Sequence, residues 1–437
     1  MTSISEVFRS FPLTVDRTLD LPARFHPNRC AIETDGETLS YAQLSQRIAA
    51  RVEQARSLGA GRFERWSLTL GNSVEFFEWL FALSRLGCAV LTLPPDLTTD
   101  QFEALARTTR LAGCVEQAGP RRIENGGPDR VSRPSLVDHP IDVDPAILVR
   151  TSGSLGSQRS IVLQHHAVLA NVIGNIRALG LRDTDKTLLV LPVSHAYGLN
   201  VALSHLAIGA TVCLPGRPTA PPLLVNALER FNITTFATVP ALTELLLAGL
   251  AVNPQRLAAL RLVSIGAAYA PPAMVASLRA RLPQVRIAIT YGLTEAGPRV
   301  ATRIVEAHGE PETRNVGAPL PNCEVSTDSG DDGVGEILVR SRSLMRSYAE
   351  DPYDEGRDHL LRTGDVGEVR PDGLHVIGRR DRSINRAGRR IAPEQIERVL
   401  LGDPRIRAAR VEAERHPFWG EVPVAHVYVH DGQLQSV

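Results

Sequence analysis

The stretch 147-ILVRTSGSLGSQRSIVLQHHAVL-169 decides the fold prediction, because the rest of the chain can be arranged around it. An apolar run leads into residues 151–157, which are rich in glycines and hydroxyl groups, and Arg159 follows. Backbone N–H groups and hydroxyls in such a loop can converge on an anion, and glycines allow close approach. The spacing is not that of the P-loop of NTPases. Taken alone, the stretch fits an anion-binding loop and a surface turn about equally well.

The composition is that of a soluble globular protein, with 43% apolar and 22% charged residues among 437. This length predicts two or three domains. The 48 basic residues balance 48 acidic ones, which gives no electrostatic reason to expect nucleic acid or an anionic membrane as a partner. One basic residue is a lysine, Lys186, and all the others are arginines.

The five cysteines are scattered without paired spacing, which argues against a disulfide framework or a zinc site and favours a reducing cytoplasm. The N-terminus lacks the pattern of a signal peptide. No apolar run reaches the roughly 18 residues that span a bilayer. We therefore expect a cytoplasmic protein without a membrane span. The oligomeric state stays open.

Strand and helix patterns alternate on both sides of the opening stretch, which predicts an α/β fold with doubly wound sheets. Residues 117–145 lack periodicity and are predicted to form a surface linker. Short alternating segments predict a β-rich subdomain at about 310–380, within an N-terminal domain of residues 1–380. Residues 381–437 are predicted to form a small, shortened α+β C-terminal domain, with a helix that opens at Arg389.

Polar clusters follow several predicted strands, at residues 151–157, 194–198, 264–268 and 291–295. In open α/β sheets, ligands bind outside the carboxyl ends of the strands. The coincidence of the clusters with these ends therefore predicts one shared site.

Together the clusters resemble motifs of the adenylate-forming superfamily, which includes acyl- and aryl-CoA synthetases and other AMP-dependent ligases. The resemblance extends over roughly residues 20 to 430. Residues 151–160 resemble the family's T-S-G-[ST]-T-G-x-P-K-G loop, and 291–295 resemble Y-G-x-T-E. Residues 362–365 match R-T-G-D, and 378–391 resemble G-R-x-D-x-x-I-K-x-x-G-x-R-I. The fold implied by the family agrees with the predicted α/β architecture.

The resemblance implies that the protein activates a carboxylic acid with ATP and Mg²⁺. Such a site must hold three phosphates and neutralise developing charge. Thr294 would contact the α-phosphate, Glu295 would bind Mg²⁺, and Arg159 would supply a positive charge. The phosphate loop would hold the β- and γ-phosphates through Thr151, Ser152, Gly153, Ser154 and Gly156.

The resemblance also implies how the nucleoside is bound. Backbone atoms of Gly266, Ala267 and Ala268, with Tyr291 and the adjacent Gly292, would hold the adenine. Asp365 would accept both ribose hydroxyls, and Arg379 would assist at the ribose and phosphates. Asp381 would be the hinge at which the C-terminal domain swings between the two half-reactions.

His195 lies in a segment that resembles the P-x-x-H-x-x-G-L of acyl and aryl activators, where an aromatic ring borders the acid's carboxylate. A satisfied core histidine is the alternative. Residues 192–203 contain no aspartate to pair with a substrate ammonium. The predicted substrate is therefore an aryl or acyl acid without an α-amino group. Its acceptor would be the thiol of coenzyme A or of a phosphopantetheine carrier protein.

The sequence departs from the family in two places. Leu155, Gln158, Arg159 and Ser160 replace the usual threonine, proline, lysine and glycine of the phosphate loop. In addition, 56 residues follow Asp381 and none is the lysine that the family uses near its C-terminus.

Three hypotheses follow from these departures. The chain is a working ligase in which an arginine (Arg386, Arg389 or Arg390) or a partner protein replaces the lysine. Alternatively, it catalyses one half-reaction from a preformed adenylate, or it is a non-catalytic relative that binds nucleotide or acyl groups.

Overall fold

The computed structural model describes residues 14–123, 144–151, 158–216, 220–251, 257–306, 308, 312–329, 333–350, 360–380, 384–386, 389–391, 393–403, 405–416, 420–429 and 434–436. The α-helices of this part of the chain are α1 Asp20–Phe25, α2 Tyr41–Ser57, α3 Val74–Arg85, α4 Thr99–Thr109, α5 His165–Leu179, α6 Ala196–Ala207, α7 Pro221–Arg230, α8 Pro240–Leu250, α9 Pro272–Arg281 and α10 Pro393–Leu401.

The first strands of the described residues are β1 Cys30–Thr34, β2 Thr38–Ser40, β3 Arg65–Leu68, β4 Ala89–Thr92, β5 Gly113–Glu116, β6 Gly119–Arg122, β7 Pro145–Arg150, β8 Ser160–Gln164, β9 Lys186–Leu188, β10 Thr211–Leu214, β11 Thr235–Thr238, β12 Leu262–Ile265 and β13 Arg286–Tyr291. The later ones are β14 Ala301–Ile304, β15 Ala318–Pro319, β16 Cys323–Ser329, β17 Gly335–Ser341, β18 Ser347–Tyr348, β19 Leu360–Arg370, β20 Gly373–Arg379, β21 Ile384–Arg386, β22 Arg389–Ile391, β23 Ile406–His416, β24 Gly420–Val429 and β25 Leu434–Ser436.

Local sequence explains where many helices begin. Helix α2 begins with a capping box, in which Ser40 and Gln43 bond reciprocally to each other's backbone N–H. Helices α7, α8 and α9 begin at Pro221, Pro240 and Pro272, where the fixed φ of proline is already helical and its missing N–H is not needed.

Two large sheets form the body of the protein. One has the order β15-β14-β13-β12-β11-β9-β10-β1-β2 and is parallel from β13 to β1. The other has the order β18-β8-β7-β4-β3-β5-β6 and is parallel from β7 to β5. Helix α3, buried along most of its length, belongs to a core cluster that includes residues of both sheets. The predicted α/β class with doubly wound sheets is confirmed.

Two smaller sheets follow along the chain. An antiparallel sheet has the order β16-β17-β19-β20, and a C-terminal sheet has the order β22-β21-β24-β23 with β25 on β24. The C-terminal sheet packs on α10 around Ile384, Val411 and Ala425. The β-rich character of these regions agrees with the sequence, while the domain boundaries at 310, 380 and 381 stay predictions.

Two predictions of local structure are wrong. The proposed linker at 117–145 contains edge strand β6 and the start of β7, and its residues 124–143 lie outside the described part of the chain. The residues of β6 show little of the apolar–polar alternation typical of a strand. They form one because their backbone pairs with β5, and an Arg122–Glu64 ion pair adds to this contact. The helix expected to open at Arg389 begins at Pro393, because 389–391 pair with β21.

All five cysteines are free thiols, as the scattered spacing predicts. In the described part of the chain, no helix combines the length and apolar character needed to cross a membrane. The cytoplasmic location stays a prediction.

Candidate active site

A cavity of about 1160 Å³ lies where the two large sheets meet the four-stranded sheet. Ligand pockets usually measure about 300–1,000 Å³, so this cavity has room for a nucleotide and an acid together. It brings together residues from all four predicted clusters and from the R-T-G-D segment. The predicted site residues that line it are Thr151, His195, Ala267, Ala268, Tyr291, Gly292, Thr294, Glu295, Asp365 and Arg379.

The ends of the phosphate loop are hydrogen-bonded to each other. The Thr151 N–H donates to the Arg159 carbonyl at 2.9 Å, and the Arg159 N–H donates to Thr151 Oγ1 at 3.1 Å. Ser152, Gly153, Ser154 and Gly156, predicted to bind phosphates, lie outside the described residues. The Arg159 guanidinium lies 3.4 Å from the centre of the Tyr348 ring, and Tyr348 rather than Arg159 lines the cavity.

The predicted adenine segment follows β12. Ala267 has φ +65°, a left-handed conformation that is uncommon for a residue with a side chain and that often marks a functional site. Gly266 does not line the cavity but packs tightly, since a Cβ there would lie 2.4 Å from Thr290 Oγ1. Gly266 therefore allows β12 and β13 to approach closely. Ala267 and Ala268, which follow Gly266, line the cavity.

Tyr291, Asp365 and Arg379 form one hydrogen-bonded group. The Tyr291 hydroxyl donates to Asp365 Oδ2 at 2.5 Å, and Arg379 Nη1 donates to Asp365 Oδ1 at 3.1 Å. Burial, and next the charge of Asp365, raises the pKa of Tyr291 well above its usual value of 10. The hydroxyl therefore stays protonated and holds the carboxylate in a fixed orientation.

Thr294 and Glu295 lie in a short 3₁₀ turn, Thr294–Ala296, directly after β13. This turn requires Gly292, because a Cβ there would lie 1.8 Å from the Pro298 carbonyl oxygen. The Glu295 carbonyl accepts a hydrogen bond from the Met345 N–H at 2.8 Å.

The Glu295 side chain is half-buried and lines the cavity. The described residues contain no group of three or more His, Cys, Asp and Glu side chains that could hold a metal. Mg²⁺ in nucleotide sites is usually bound by one or two carboxylates, water and substrate phosphates. The Glu295 carboxylate, in a cavity large enough for a nucleotide, therefore fits Mg²⁺ better than it fits a metal held by protein ligands alone.

His195 precedes α6, and its side chain is exposed at the cavity. The alternative of a satisfied core histidine is therefore wrong. The neighbouring Tyr197 also lines the cavity, and its hydroxyl donates to the carbonyls of Ser264 and Thr238 at 3.1 and 3.3 Å. These bonds tie the start of α6 to the ends of β11 and β12.

Sequence reasoning missed Glu336, a buried carboxylate of the cavity wall. It accepts hydrogen bonds from the Gly364 N–H at 3.1 Å, from Arg362 Nη2 at 2.8 Å and from Arg380 Nη1 at 2.7 Å. Burial alone would raise the pKa of Glu336, but the bonds from Gly364 and the two arginines lower it. Glu336 thereby fixes the turn before Asp365.

Two further arginines of the cavity were also missed. Arg299 is buried beside Tyr197, and Arg398 of α10 lies 5.1 Å from the centre of the Tyr269 ring. Helix α10 therefore brings C-terminal residues to the cavity. Asp381, the predicted hinge, lies outside the described residues.

Comparisons with known proteins show the family to which the chain is similar. A family model described as AMP-binding enzyme matches residues 19–349. The 4-coumarate–CoA ligase 5 of Oryza sativa subsp. japonica is 28% identical over 92% of this chain and 82% of its own length. The 2-succinylbenzoate–CoA ligase of Bacillus cytotoxicus is 28% identical over 93% of this chain and 87% of its own.

The solved structure of an O-succinylbenzoate coenzyme A synthetase from Bacillus subtilis, in complex with ATP and magnesium ion, has the same fold. It is 21% identical, with a TM-score of 0.79 over 95% of this chain and 90% of that one. Since the family model matches most of the chain, the protein belongs to the AMP-binding enzyme family, which confirms the adenylate-forming resemblance of its motifs.

Proposed function

We propose that the protein is an AMP-forming carboxylic acid–thiol ligase. It uses ATP to convert an aryl or acyl acid into an acyl-adenylate and then transfers the acyl group to a thiol. The observation that carries this proposal is the convergence of Thr294, Glu295 and Asp365 on one cavity from different sheets. The family to which the chain belongs supports it.

The chain's residues supply complementary contacts in the first half-reaction. The acid's carboxylate oxygen attacks the α-phosphate of ATP, and pyrophosphate leaves. Thr294 donates a hydrogen bond to the α-phosphate, and Asp365, oriented by Tyr291 and Arg379, accepts the ribose hydroxyls. Glu295 holds Mg²⁺, which when bound neutralises charge on the phosphates.

The acid has no α-amino group in this proposal. His195 and Tyr197 line the cavity, and residues 192–203 provide no carboxylate to pair with an ammonium. Glu336, a cavity carboxylate, is already bonded to two arginines. The relatives' names contain two aromatic acids, 4-coumarate and 2-succinylbenzoate, which favours an aryl acid.

Coenzyme A is the proposed acceptor, because both relatives are named as CoA ligases. A phosphopantetheine carrier protein presents the same thiol and is the alternative partner. Thioester formation with each acceptor, measured on the same adenylate, decides between them.

Pyrophosphate exchange into ATP, measured over a panel of aryl and fatty acids, tests the proposal. The panel includes 4-coumarate and 2-succinylbenzoate. We expect exchange with at least one acid and a loss of about 10²-fold or more in Thr294→Ala. Thr108→Ala, on the exposed face of α4, is the matched control that keeps full exchange. Thioester formation only from a supplied acyl-adenylate would indicate a half-reaction enzyme, and silence in both assays would refute catalysis.

A further inference from the structure

Arg299 is held rigidly at the cavity wall. The residue is 2% exposed, and its backbone is bonded to the side chain of the buried Asn171. The Arg299 N–H donates to Asn171 Oδ1 at 3.2 Å, and Asn171 Nδ2 donates to the Arg299 carbonyl at 2.8 Å. The next residue, Val300, donates to the Tyr291 carbonyl at 2.9 Å. Arg299 is therefore positioned by the same turn that carries Thr294 and Glu295.

The guanidinium of Arg299 lacks a counter-charge in the described part of the chain. Nε, Nη1 and Nη2 are all buried, and none has a hydrogen-bond partner there. The guanidinium carbon lies 4.7 Å from the centre of the Tyr197 ring. One cation–π contact returns much less free energy than the removal of an arginine from water costs. The site is thus incomplete without an anion.

We propose that Arg299 binds a second carboxylate of the acid substrate, at a distance from the carboxylate that is activated. This proposal rests on the proposed function and specifies its substrate class. Arg299 lines the cavity together with His195 and Tyr197, the residues assigned to the acid. A guanidinium fork matches a carboxylate in a bidentate pair, which a lysine ammonium cannot reproduce.

Two carboxylates of the cavity wall are bonded to other arginines. Glu336 accepts bonds from Arg362 and Arg380, and Asp365 accepts one from Arg379. Glu336 and Asp365 are therefore engaged with arginines other than Arg299. The phosphates of ATP are the other anions in the reaction that Arg299 could bind. The test therefore measures the effect of an Arg299 substitution on KM for the acid separately from its effect on KM for ATP.

Matched acids test the proposal by calorimetric binding with AMP present and by pyrophosphate exchange. One pair is 2-succinylbenzoate and 4-oxo-4-phenylbutanoate, which lacks only the ring carboxylate. The second pair is adipate and hexanoate. We expect a diacid to bind about 10- to 100-fold more tightly than its monoacid partner, the range for hydrogen bonds to a charged group.

Arg299→Gln should abolish this preference by raising KM for the diacid, with KM for ATP unchanged. Arg299→Lys should restore only part of it. Arg230→Gln is the control, because Arg230 lies 4.6 Å from the centre of the Phe231 ring but outside the cavity. A preference absent from both pairs, or a variant that raises KM for ATP instead, overturns the proposal.

Thermal unfolding separates binding from a structural role. Since Arg299→Gln removes an unpaired buried charge, its Tm should equal or exceed that of the wild type. A lower Tm with an unchanged diacid preference assigns Arg299 to structure and overturns the proposal. If diacids bind in an Arg299-dependent way but support no pyrophosphate exchange, the proposed ligase activity is refuted and the diacid site stands. If only monoacids support pyrophosphate exchange, the diacid site is refuted and the ligase activity stands.

Discussion

The hydrogen bond from Tyr291 to Asp365 makes a prediction about nucleotide affinity. Tyr291→Phe keeps the aromatic ring and removes the donor that lies 2.5 Å from Asp365 Oδ2. A hydrogen bond to a charged group contributes about 1.5–3 kcal/mol, which corresponds to about 10- to 150-fold in affinity. Arg379 also bonds to Asp365, but its side chain is 47% exposed, so water screens this pairing.

The assay is pyrophosphate exchange as a function of ATP concentration. We expect KM for ATP to rise about 10- to 150-fold in Tyr291→Phe, with a smaller change in kcat. Tyr41→Phe is the matched control, since its buried hydroxyl donates to the Ala210 carbonyl at 2.7 Å, outside the cavity. It should lower Tm and leave KM for ATP unchanged. A wild-type KM for ATP in Tyr291→Phe would refute the role assigned to this bond.

Three further predictions concern metal binding, pH and the cavity turn. Glu295→Gln should reduce exchange by about 10²–10³-fold and weaken Mg²⁺ dependence, measured by titration of the metal; an unchanged titration contradicts its role. Burial lowers the pKa of His205 to about 4, so the free energy of unfolding should fall by up to about 3 kcal/mol between pH 6.5 and 4, and stay level above pH 7. Urea denaturation across this range checks it, and a level profile below pH 6.5 contradicts it. Gly292→Ala should lower both activity and Tm, because the new Cβ would meet the Pro298 carbonyl at 1.8 Å; wild-type values of both would show that the turn relaxes.

Local periodicity predicted most of the individual elements but could not show how they pair. The predicted alternation of strand and helix is present, for example in the strand Thr211–Leu214 and the helix Pro221–Arg230 that follows it, because apolar spacing within a short segment determines each element. By contrast, β18 pairs with β8 across more than 180 residues of sequence. Such pairing depends on tertiary packing, which the residues of either strand alone do not encode.

The candidate site shows the same limit. Strand ends indicated where Thr151, His195 and Glu295 would converge, since their position follows from the topology of α/β sheets. The role of Glu336 could not be predicted from the sequence, because it depends on arginines that lie 26 and 44 residues away along the chain. Arg299 was invisible because a sequence shows a charge but not whether that charge has a partner.

The arginines at the cavity are of two kinds: some are paired with carboxylates and others are not. This difference explains how the cavity can be stable and still bind anionic ligands. Arg362 and Arg379 line the cavity and are bonded to carboxylates of the chain, as is the neighbouring Arg380, so these arginines leave little charge for a ligand. Arg299 and Arg398 stack on tyrosine rings and have buried guanidinium nitrogens without hydrogen-bond partners among the described residues. A site for ATP and a carboxylic acid must accept several negative charges. Arg299, whose guanidinium nitrogens have no hydrogen-bond partner among the described residues, supplies such positive charge and is fixed before the reactants arrive.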